Sequence, residues 1–595
     1  MRGWHTLSIR QGSIRFAAGR IARHSPSTRA PSPVLPLYGS LSLSRCRTHS
    51  YRAPDMMHLE TTQAPASSQR DTVEEVLSAS RQNASRSKAR AAIRSIDGFL
   101  PAVAGVVLLA LILRMITLAD RSVWMDEAYS FWFSSLSWKD LWTQTPFYET
   151  HPPFYYSLLK LWMGLAGSSE AGMRSLSVFA SLGTVALTAF APRLLGLGKR
   201  YDRVGIVASL LLALNGGSIE YAQQARPYAL QTLFVTLLGL SSVMLLRRFF
   251  DEQRTTSKIR GATLLCLMSG ISGGIVLWLH NTSPFIIFCN WIAIFTAILL
   301  FSRYRREDLL LAVKALALAL LIWSPCIPIL MIESRTVAAA FWVTISPKMI
   351  TWPYTLAAGG KFAFIPAVFL ASIAWLSIWR SSKAIALYMA TMLFVPVAIV
   401  FVLSYLYTPI FVTRTFEWLA PAFLFLVALG LYVPGKMERV RYPLLAVLLV
   451  LCTVQSVGYL RSATEDLRDA VRYLAAGYRP GDVVLFYSNE GEVGLHYYAR
   501  QQPVQFDIAA IPARYPAVGL NRTYLGSNKG APAAIESDRA EIDRVLATHK
   551  RVWFVGAWPG SDGKMNIVTD EVYRQRGAPI SSVDFGGLQI THFDR

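Results

Sequence analysis

Three short stretches of this 595-residue chain put ionisable and aromatic side chains beside apolar runs: Trp124-Met125-Asp126-Glu127-Ala128-Tyr129-Ser130, His151-Pro152-Pro153-Phe154-Tyr155-Tyr156 and Gln223-Gln224-Ala225-Arg226-Pro227-Tyr228. In the first, two adjacent carboxylates stand among Trp124, Tyr129, Phe131 and Trp132. Carboxylates at a membrane interface are costly to desolvate, so they need a reason. One reason is chemical, with one carboxylate serving as a general base. The other is local, with Asp126 capping a surface helix inside an interfacial aromatic belt. In the second stretch the two prolines break regular structure and then start a helix, bringing His151, Tyr155 and Tyr156 towards one surface. A histidine near an interface also has a purely structural use. In the third, a guanidinium ahead of Pro227 suits the oxygens of a phosphate, with anchoring in lipid headgroups as the competing reading.

The elements that position these residues are membrane spans. Apolar residues make up 53% of the chain and charged ones only 16%, and the apolar residues fall into runs near the roughly 20 that a bilayer-spanning helix needs. Eleven spans are expected, at about 98–118, 174–196, 204–219, 228–246, 262–280, 284–301, 309–331, 362–379, 385–406, 416–434 and 443–460. With alternating sides, the loops carrying Lys199 to Arg203, Arg247 to Arg260, Arg303 to Arg306, Arg380 to Lys383 and Lys436 to Arg441 share one face with the basic N-terminal segment. By the positive-inside rule that face is the cytoplasm. The loops at 119–173, 217–227, 281–283, 332–361 and 407–415, and everything after about 460, then lie outside, so all three chemical stretches share the outer face. Residues 153–166 are too short a run to span and read as an amphipathic helix on the outer surface.

The net charge of +22 invites a nucleic-acid reading, which the pattern excludes. The charge concentrates in the cytoplasmic loops and the first hundred residues, where orientation and anionic headgroups favour it, and no basic stripe is interleaved with stacking aromatics. Residues 1–54 hold nine arginines and no acidic residue. They resemble an organellar transit peptide, or else lie ahead of a true start at Met56 or Met57, and a disordered segment over 1–95 is expected either way. Cys46 lies in that segment and Cys266, Cys289, Cys326 and Cys452 in predicted spans, so neither a disulfide framework nor a thiolate metal site is indicated. No Gly-rich phosphate loop follows a strand, so an activated substrate is expected to arrive in the membrane.

Three domains follow: the basic segment 1–95, a transmembrane domain 96–460, and an extracytoplasmic domain 461–595. In the last, Asp466 to Ala476 reads as an amphipathic helix, Pro480-Gly481-Asp482 as a turn, and Val483 to Tyr487 and Val552 to Val555 as buried strands, which makes a small α/β domain. Further outer residues are His280 beside Asn281, Glu333 with Arg335, Lys361, and Arg414 with Glu417. Together they describe a polar, cation-rich cavity above the outer leaflet, with Tyr228 at its edge.

The order Asp-Glu after the first span, His-Pro-Pro-Phe-Tyr-Tyr about 25 residues on, and Ala-Arg-Pro-Tyr-Ala-Leu at the head of a span resembles the GT-C membrane glycosyltransferases of family 39 type. These include protein O-mannosyltransferases, the lipid A aminoarabinose transferase and rhizobial lipopolysaccharide galacturonosyltransferases. The resemblance is strongest over 120–235 and covers roughly 98–460. It implies a polyprenyl-phosphate-linked sugar donor, an envelope glycan, lipid or protein as acceptor, and inverting transfer on the extracytoplasmic face of a bacterial inner membrane. Asp126 matches the catalytic carboxylate of the first loop and Glu127 its acidic neighbour, so both are catalytic candidates, and Arg226 matches the basic residue at the donor phosphate. Arg335, Lys361 and Arg414 are further candidates for the phosphate, and His151, Tyr155, Tyr156, Tyr228 and His280 for the substrate cavity. Many relatives carry Glu where this chain has Gln224, which weakens the case for a carboxylate-bound divalent metal, and no cofactor is indicated.

A transporter or lipid flippase is the rival class. It calls for polar residues near the bilayer midplane, whereas these sit at the outer ends of spans. A scaffold that merely displays the C-terminal domain has no need of the polar cluster. The topology predicts that a reporter active only outside the cytoplasm is active when fused after residue 465. Activity there from a cytoplasm-specific reporter instead overturns the shared-face assignment.

Overall fold

The structure is a computed structural model that describes residues 98–250, 256–339, 343–433, 438–462, 465–520, 522–523, 529–557 and 566–595. The expected basic segment over 1–95, with Cys46, lies outside them.

All eleven predicted spans fall on helix. In chain order the first part contains α1 (Phe99–Met115), α2 (Met125–Ser135), α3 (Pro153–Ala166), α4 (Glu170–Leu194), α5 (Asp202–Ala213), α6 (Gly216–Ala222), α7 (Tyr228–Phe249), α8 (Thr256–Leu279), α9 (Ser283–Phe301), α10 (Arg305–Trp323), α11 (Ile327–Ala339), α12 (Trp352–Ala358), α13 (Lys361–Ser381), α14 (Lys383–Leu406), α15 (Leu419–Leu431) and α16 (Arg441–Arg461). Among the described residues eight helices are long and apolar enough to cross a membrane, α5 with α6 makes a bent ninth, and α1 and α15 are shorter apolar helices. The chain is therefore a multi-pass membrane protein. Pro153 opens α3 at the first helical position, as the His-Pro-Pro pattern requires.

Two spans depart from the expectation. The run predicted as one helix over 204–219 bends by 64° between α5 and α6. Asn215-Gly216-Gly217 is the cause: the Asn215 side chain accepts from Ser218 N at 3.0 Å and caps α6, while its Nδ2 donates to the carbonyls of Leu356 and Ala357 at the end of α12. The Leu212 and Ala213 carbonyls at the end of α5 accept from the buried guanidinium of Arg114. A broken helix at membrane depth is tolerable only with such internal partners. The span predicted over 309–331 likewise crosses a 3₁₀ turn at Ser324-Pro325-Cys326 between α10 and α11.

Spans pack through small residues, because lipid gives helices little hydrophobic reason to associate and close backbone contact must supply it. A Cβ on Gly205 of α5 would meet the Ala189 carbonyl oxygen of α4 at 2.2 Å, and one on Gly430 of α15 would meet that of Leu370 on α13 at 2.2 Å.

The second part is the α/β domain: α17 (Leu467–Gly477), β1 (Val483–Tyr487), α18 (Gly491–Ala499), β2 (Ile508–Ala510), α19 (Arg539–Thr548), β3 (Val552–Ala557), α20 (Ile567–Arg576), β4 (Ser581–Asp584) and β5 (Leu588–Phe593). The strands form one sheet in the order β2-β1-β3-β5-β4. β1 pairs in parallel with β2 and β3, and β5 runs antiparallel to β3 and β4. Alternate residues serve two cores. Val483, Leu485, Val552 and Phe554 pack with Ile542, Val545 and Val572 of α19 and α20. Val484, Phe486, Trp553 and Val555 face α17, with its Leu467, Val471 and Leu474 at helical spacing, and join a cluster that continues into Phe131 and Phe133 of α2 and Tyr155 and Tyr156 of α3. One apolar core thus runs from the domain into the loops that carry the chemical residues.

Gly205→Val forces side-chain atoms into the α4 backbone, and overpacking of this kind costs about 1–3 kcal/mol. A lowered thermal unfolding midpoint in detergent is expected, with Gly239→Ala, where a Cβ meets nothing within 4 Å, as the control whose midpoint does not fall.

Candidate functional site

The chain enters α2 through Trp124, with Met125 N donating to Glu465 Oε2 of the C-terminal domain at 2.9 Å. That carboxylate does the work of a cap, so the capping role considered for Asp126 is not the one the helix uses. Asp126 and Glu127 fall side by side in the first turn and point to different surroundings.

Glu127 is fully buried. Its Oε1 accepts from Arg174 Nε at 2.8 Å and from Ala225 N at 2.8 Å, and its Oε2 accepts from Arg174 Nη2 at 2.6 Å. The rest of the Arg174 guanidinium donates to the carbonyls of Leu118, Arg121 and Ser122. All five guanidinium N–H groups are thereby satisfied. This corrects the catalytic expectation for Glu127: both of its oxygens are committed to a buried two-pronged pair, and what it does is tie α2 to α4 and to the residue preceding Arg226.

Asp126, half-buried, lies on the other side of the turn. Arg414 Nη2 stands 3.1 Å from its Oδ2 and Arg226 Nη2 3.9 Å from the same oxygen. Arg226 is buried, donates through Nη1 to the Asp126 carbonyl at 3.1 Å, and through Nη2 to His151 Nε2 at 3.4 Å. Its Nε is buried with no hydrogen-bond acceptor among the described residues. The Arg414 guanidinium lies 5.7 Å from the Trp124 ring and 5.9 Å from that of Tyr228, within cation–π range. The His151 ring packs edge-on against His280 at 5.0 Å, and Tyr155 against Tyr156 at 5.8 Å. The structure therefore brings Asp126, His151, Tyr155, Tyr156, Arg226, Tyr228, His280 and Arg414 together. Arg335 and Lys361 are exposed and stand outside the cluster, with Lys361 Nζ 5.0 Å from the ring of Phe362.

Sequence reading missed Glu149. Its Oε1 lies 2.6 Å from His151 Nδ1 and accepts from Tyr156 Oη at 3.1 Å. With Nε2 facing a guanidinium, these partners put the ring hydrogen on Nδ1. The available signal was an acid two residues before the histidine in Glu149-Thr150-His151. Asn281 Nδ2 donates to the Thr150 carbonyl and to Glu333 Oε2, each at 2.7 Å, and so ties this segment to α11.

The electrostatics sort these groups. Burial alone raises the Asp126 carboxyl, but Arg414, then Arg226, hold it below the ordinary range. Burial opposes the charge on Arg226, and Asp126 with Tyr156 and Tyr228 raises it well above the usual value. His151 and His280 are pushed well down by burial and by the guanidinium of Arg226, which keeps both rings neutral. Glu149 is pushed up to about 7 by burial, with Arg226 opposing. The resting site is thus a carboxylate between two guanidiniums, flanked by neutral histidines and a protonatable glutamate. Among the described residues no group of three or more His, Cys, Asp or Glu could hold a metal ion.

Because the folded chain holds the Glu149 proton more tightly than an exposed carboxyl does, its contribution to stability is full at acid pH and is lost as pH rises through about 7. In lipid nanodiscs, the infrared difference between the full chain and Glu149→Gln should show a protonated carboxyl stretch that fades through that range. A difference spectrum without that stretch at acid pH refutes the assignment.

No protein-family model matches the chain, and no curated protein matches it by sequence. Solved structures do match. ArnT from Cupriavidus metallidurans in the apo state aligns over 82% of this chain and 97% of its own, with a TM-score of 0.56 at 12% identity. The same protein bound to undecaprenyl phosphate aligns over the same shares, with a TM-score of 0.54 at 12% identity. A likeness at that identity is one of architecture, and the architecture this chain shares with ArnT is the GT-C fold of membrane glycosyltransferases.

Proposed function

We propose that the chain is a membrane glycosyltransferase that moves a sugar from a polyprenyl-phosphate-linked donor to an acceptor hydroxyl of the cell envelope, on the extracytoplasmic face, with inversion at the anomeric carbon. The observation that carries this reading is the Asp126 carboxylate held between Arg414 and Arg226. Two guanidiniums and one carboxylate leave one positive charge in direct contact, matching the single negative charge of a phosphate diester. The buried Arg226 Nε adds a hydrogen-bond donor with no acceptor among the described residues. The undecaprenyl phosphate seen on ArnT, which has the same fold, supports a polyprenyl phosphate as the lipid.

The chemistry follows from those charges. The acceptor oxygen attacks the anomeric carbon, the bond from that carbon to the phosphate oxygen breaks, and the bonding pair leaves with the phosphate. The acceptor proton passes to Asp126. A phosphate is a good leaving group once its developing charge is met by Arg226 and Arg414, so acid catalysis is dispensable and a base is needed only for the hydroxyl. The departing phosphate also draws on the two guanidiniums that hold down the Asp126 carboxyl, which makes that carboxyl more basic as the proton arrives. Apolar spans holding the long lipid laterally supply the orientation that makes attack productive.

Asp126→Asn should lower transfer by roughly 10² to 10⁴, while undecaprenyl phosphate binding by the full chain in nanodiscs is kept or tightened, because the competing negative charge is gone. Arg226→Ala should weaken that binding by about 10- to 100-fold, with Arg226→Lys a partial rescue that keeps charge and loses the fork. Parent-like transfer by Asp126→Asn, or undecaprenyl phosphate binding indifferent to both arginine variants, rejects the proposal.

A further inference from the structure

We propose that Glu417 is the positioning residue of Arg414: it pins the turn that carries Arg414 to the break between α5 and α6 and to the head of α7, and so sets where the second guanidinium meets the donor phosphate. This rests on the glycosyltransferase reading above.

Glu417 is buried at the head of a predicted span, where an acid without a task is costly. Its two oxygens are engaged by two different helices. Oε1 accepts from Ser218 Oγ in the first turn of α6 at 2.8 Å, and Oε2 accepts from Thr232 Oγ1 of α7. Glu417 also closes the 3₁₀ turn Thr413–Phe416, its N–H donating to the Arg414 carbonyl. In 3₁₀ geometry side chains three apart lie on one side, so Arg414 and Glu417 leave the turn together. On α7, Tyr228 and Thr232 are four apart and share a face. The Arg414 guanidinium comes to lie 5.9 Å from the Tyr228 ring, while Glu417 engages Thr232 one turn on. The turn is thereby docked on α7 at two points, and Ser218 supplies a third on α6.

Such docking does what apolar contact does not. Phe416, Trp418 and Leu419 on either side of Glu417 are buried in the main apolar core, but apolar packing is non-directional. A turn held by packing alone is free to slide, and in a reacting site a displacement of about 1 Å costs on the order of 100-fold. The break between α5 and α6 gains a use from this. Asn215, held by the carbonyls at the end of α12, accepts from Ser218 N and fixes the first turn of α6. Hydrogen bonds thus run from α12 through Asn215, Ser218 and Glu417 to the turn of Arg414. Arg114 offers a competing role for the carboxylate, because it is buried at that same break and lies within electrostatic reach of Glu417. An acid that only balanced Arg114 would support the fold without bearing on the phosphate. The sign of the effect separates charge from position. A negative charge near the arginines opposes an anion, so its removal tightens phosphate binding if charge alone acts, and weakens it if Glu417 holds Arg414 in place.

The test measures undecaprenyl phosphate binding by the full chain in lipid nanodiscs, for the parent, Glu417→Gln, Glu417→Ala, Arg414→Ala and the double variant Glu417→Ala with Arg414→Ala. Glu417→Ala should weaken binding about tenfold, the scale of a lost hydrogen bond to a charged group. Glu417→Gln, which keeps the shape and one acceptor oxygen, should be intermediate. With Arg414→Ala already present, Glu417→Ala should cost less than about twofold, because changes that act through one residue do not add. Parent-like or tighter binding by Glu417→Ala overturns the proposal. An equal fold loss in both backgrounds also overturns it, and assigns Glu417 to Arg114 and the fold at large. If Glu417→Ala fails to fold, the same cycle is run with Thr232→Val, which removes one donor at nearly constant volume, and the same two results decide. Parent-like binding by Arg414→Ala removes the two-arginine phosphate site, and this role with it. Weakened binding by Arg414→Ala beside parent-like binding by the Glu417 variants overturns the positioning role alone and leaves the glycosyltransferase reading standing.

Discussion

The buried pair between Glu127 and Arg174 is the interaction on which the site depends. It lies where α2, the head of α4 and the turn before α7 converge, and each partner is consumed: the carboxylate by Arg174 and the Ala225 amide, the guanidinium by Glu127 and three carbonyls of the 118–122 segment. Burying two charges is costly, and only full hydrogen bonding makes it tolerable. Such a pair adds little net stability over apolar packing but admits one geometry. That geometry places Asp126, the next residue back, and Arg226, the next residue on from Ala225, across from each other.

Around that anchor the charges are arranged in two layers. The inner layer is neutral as a pair, Glu127 against Arg174, and is closed to solvent. The outer layer, Asp126 with Arg226 and Arg414, is unbalanced by one positive charge and half open. Neutral histidines and the protonatable Glu149 border it, so the excess charge is not cancelled by its neighbours at neutral pH. Inner order and outer imbalance serve different ends: the first fixes positions, and the second leaves an electrostatic demand for an anion.

The membrane architecture was legible in the sequence because long apolar runs and basic loops are strong, one-dimensional signals. The buried strands at Val483 to Tyr487 and Val552 to Val555 were legible for a similar reason, since a strand covered on both faces is apolar throughout. What escaped depends on partners distant in sequence. The break after Ala213 is stabilised by Arg114, some 100 residues earlier, and by the end of α12, some 140 residues later. Glu149 gains its proton affinity from burial under loops that no local pattern specifies. Arg414 and Lys361 looked alike as cations at span ends, yet only Arg414 turns inward, drawn by Asp126 and two aromatic rings. Adjacent residues in one motif also divided: Asp126 faces the cavity and Glu127 the interior, because one step along a helix rotates a side chain by a quarter turn or more.

The domain that follows the last span is fastened to the first loop by polar contacts of high specificity. Glu465 receives the opening amide of α2, Arg468 donates to the carbonyls of Ala119 and Asp120 and to Glu170, and the Tyr498 hydroxyl accepts from Val123 N and donates to Glu170. An apolar core continues through the same junction. The domain is consequently no interchangeable module. A homologous or foreign domain grafted after residue 461 would have to bring the Glu465, Arg468 and Tyr498 contacts with it. Recombination at this boundary is therefore constrained to exchange the first loop and the last domain as a matched set.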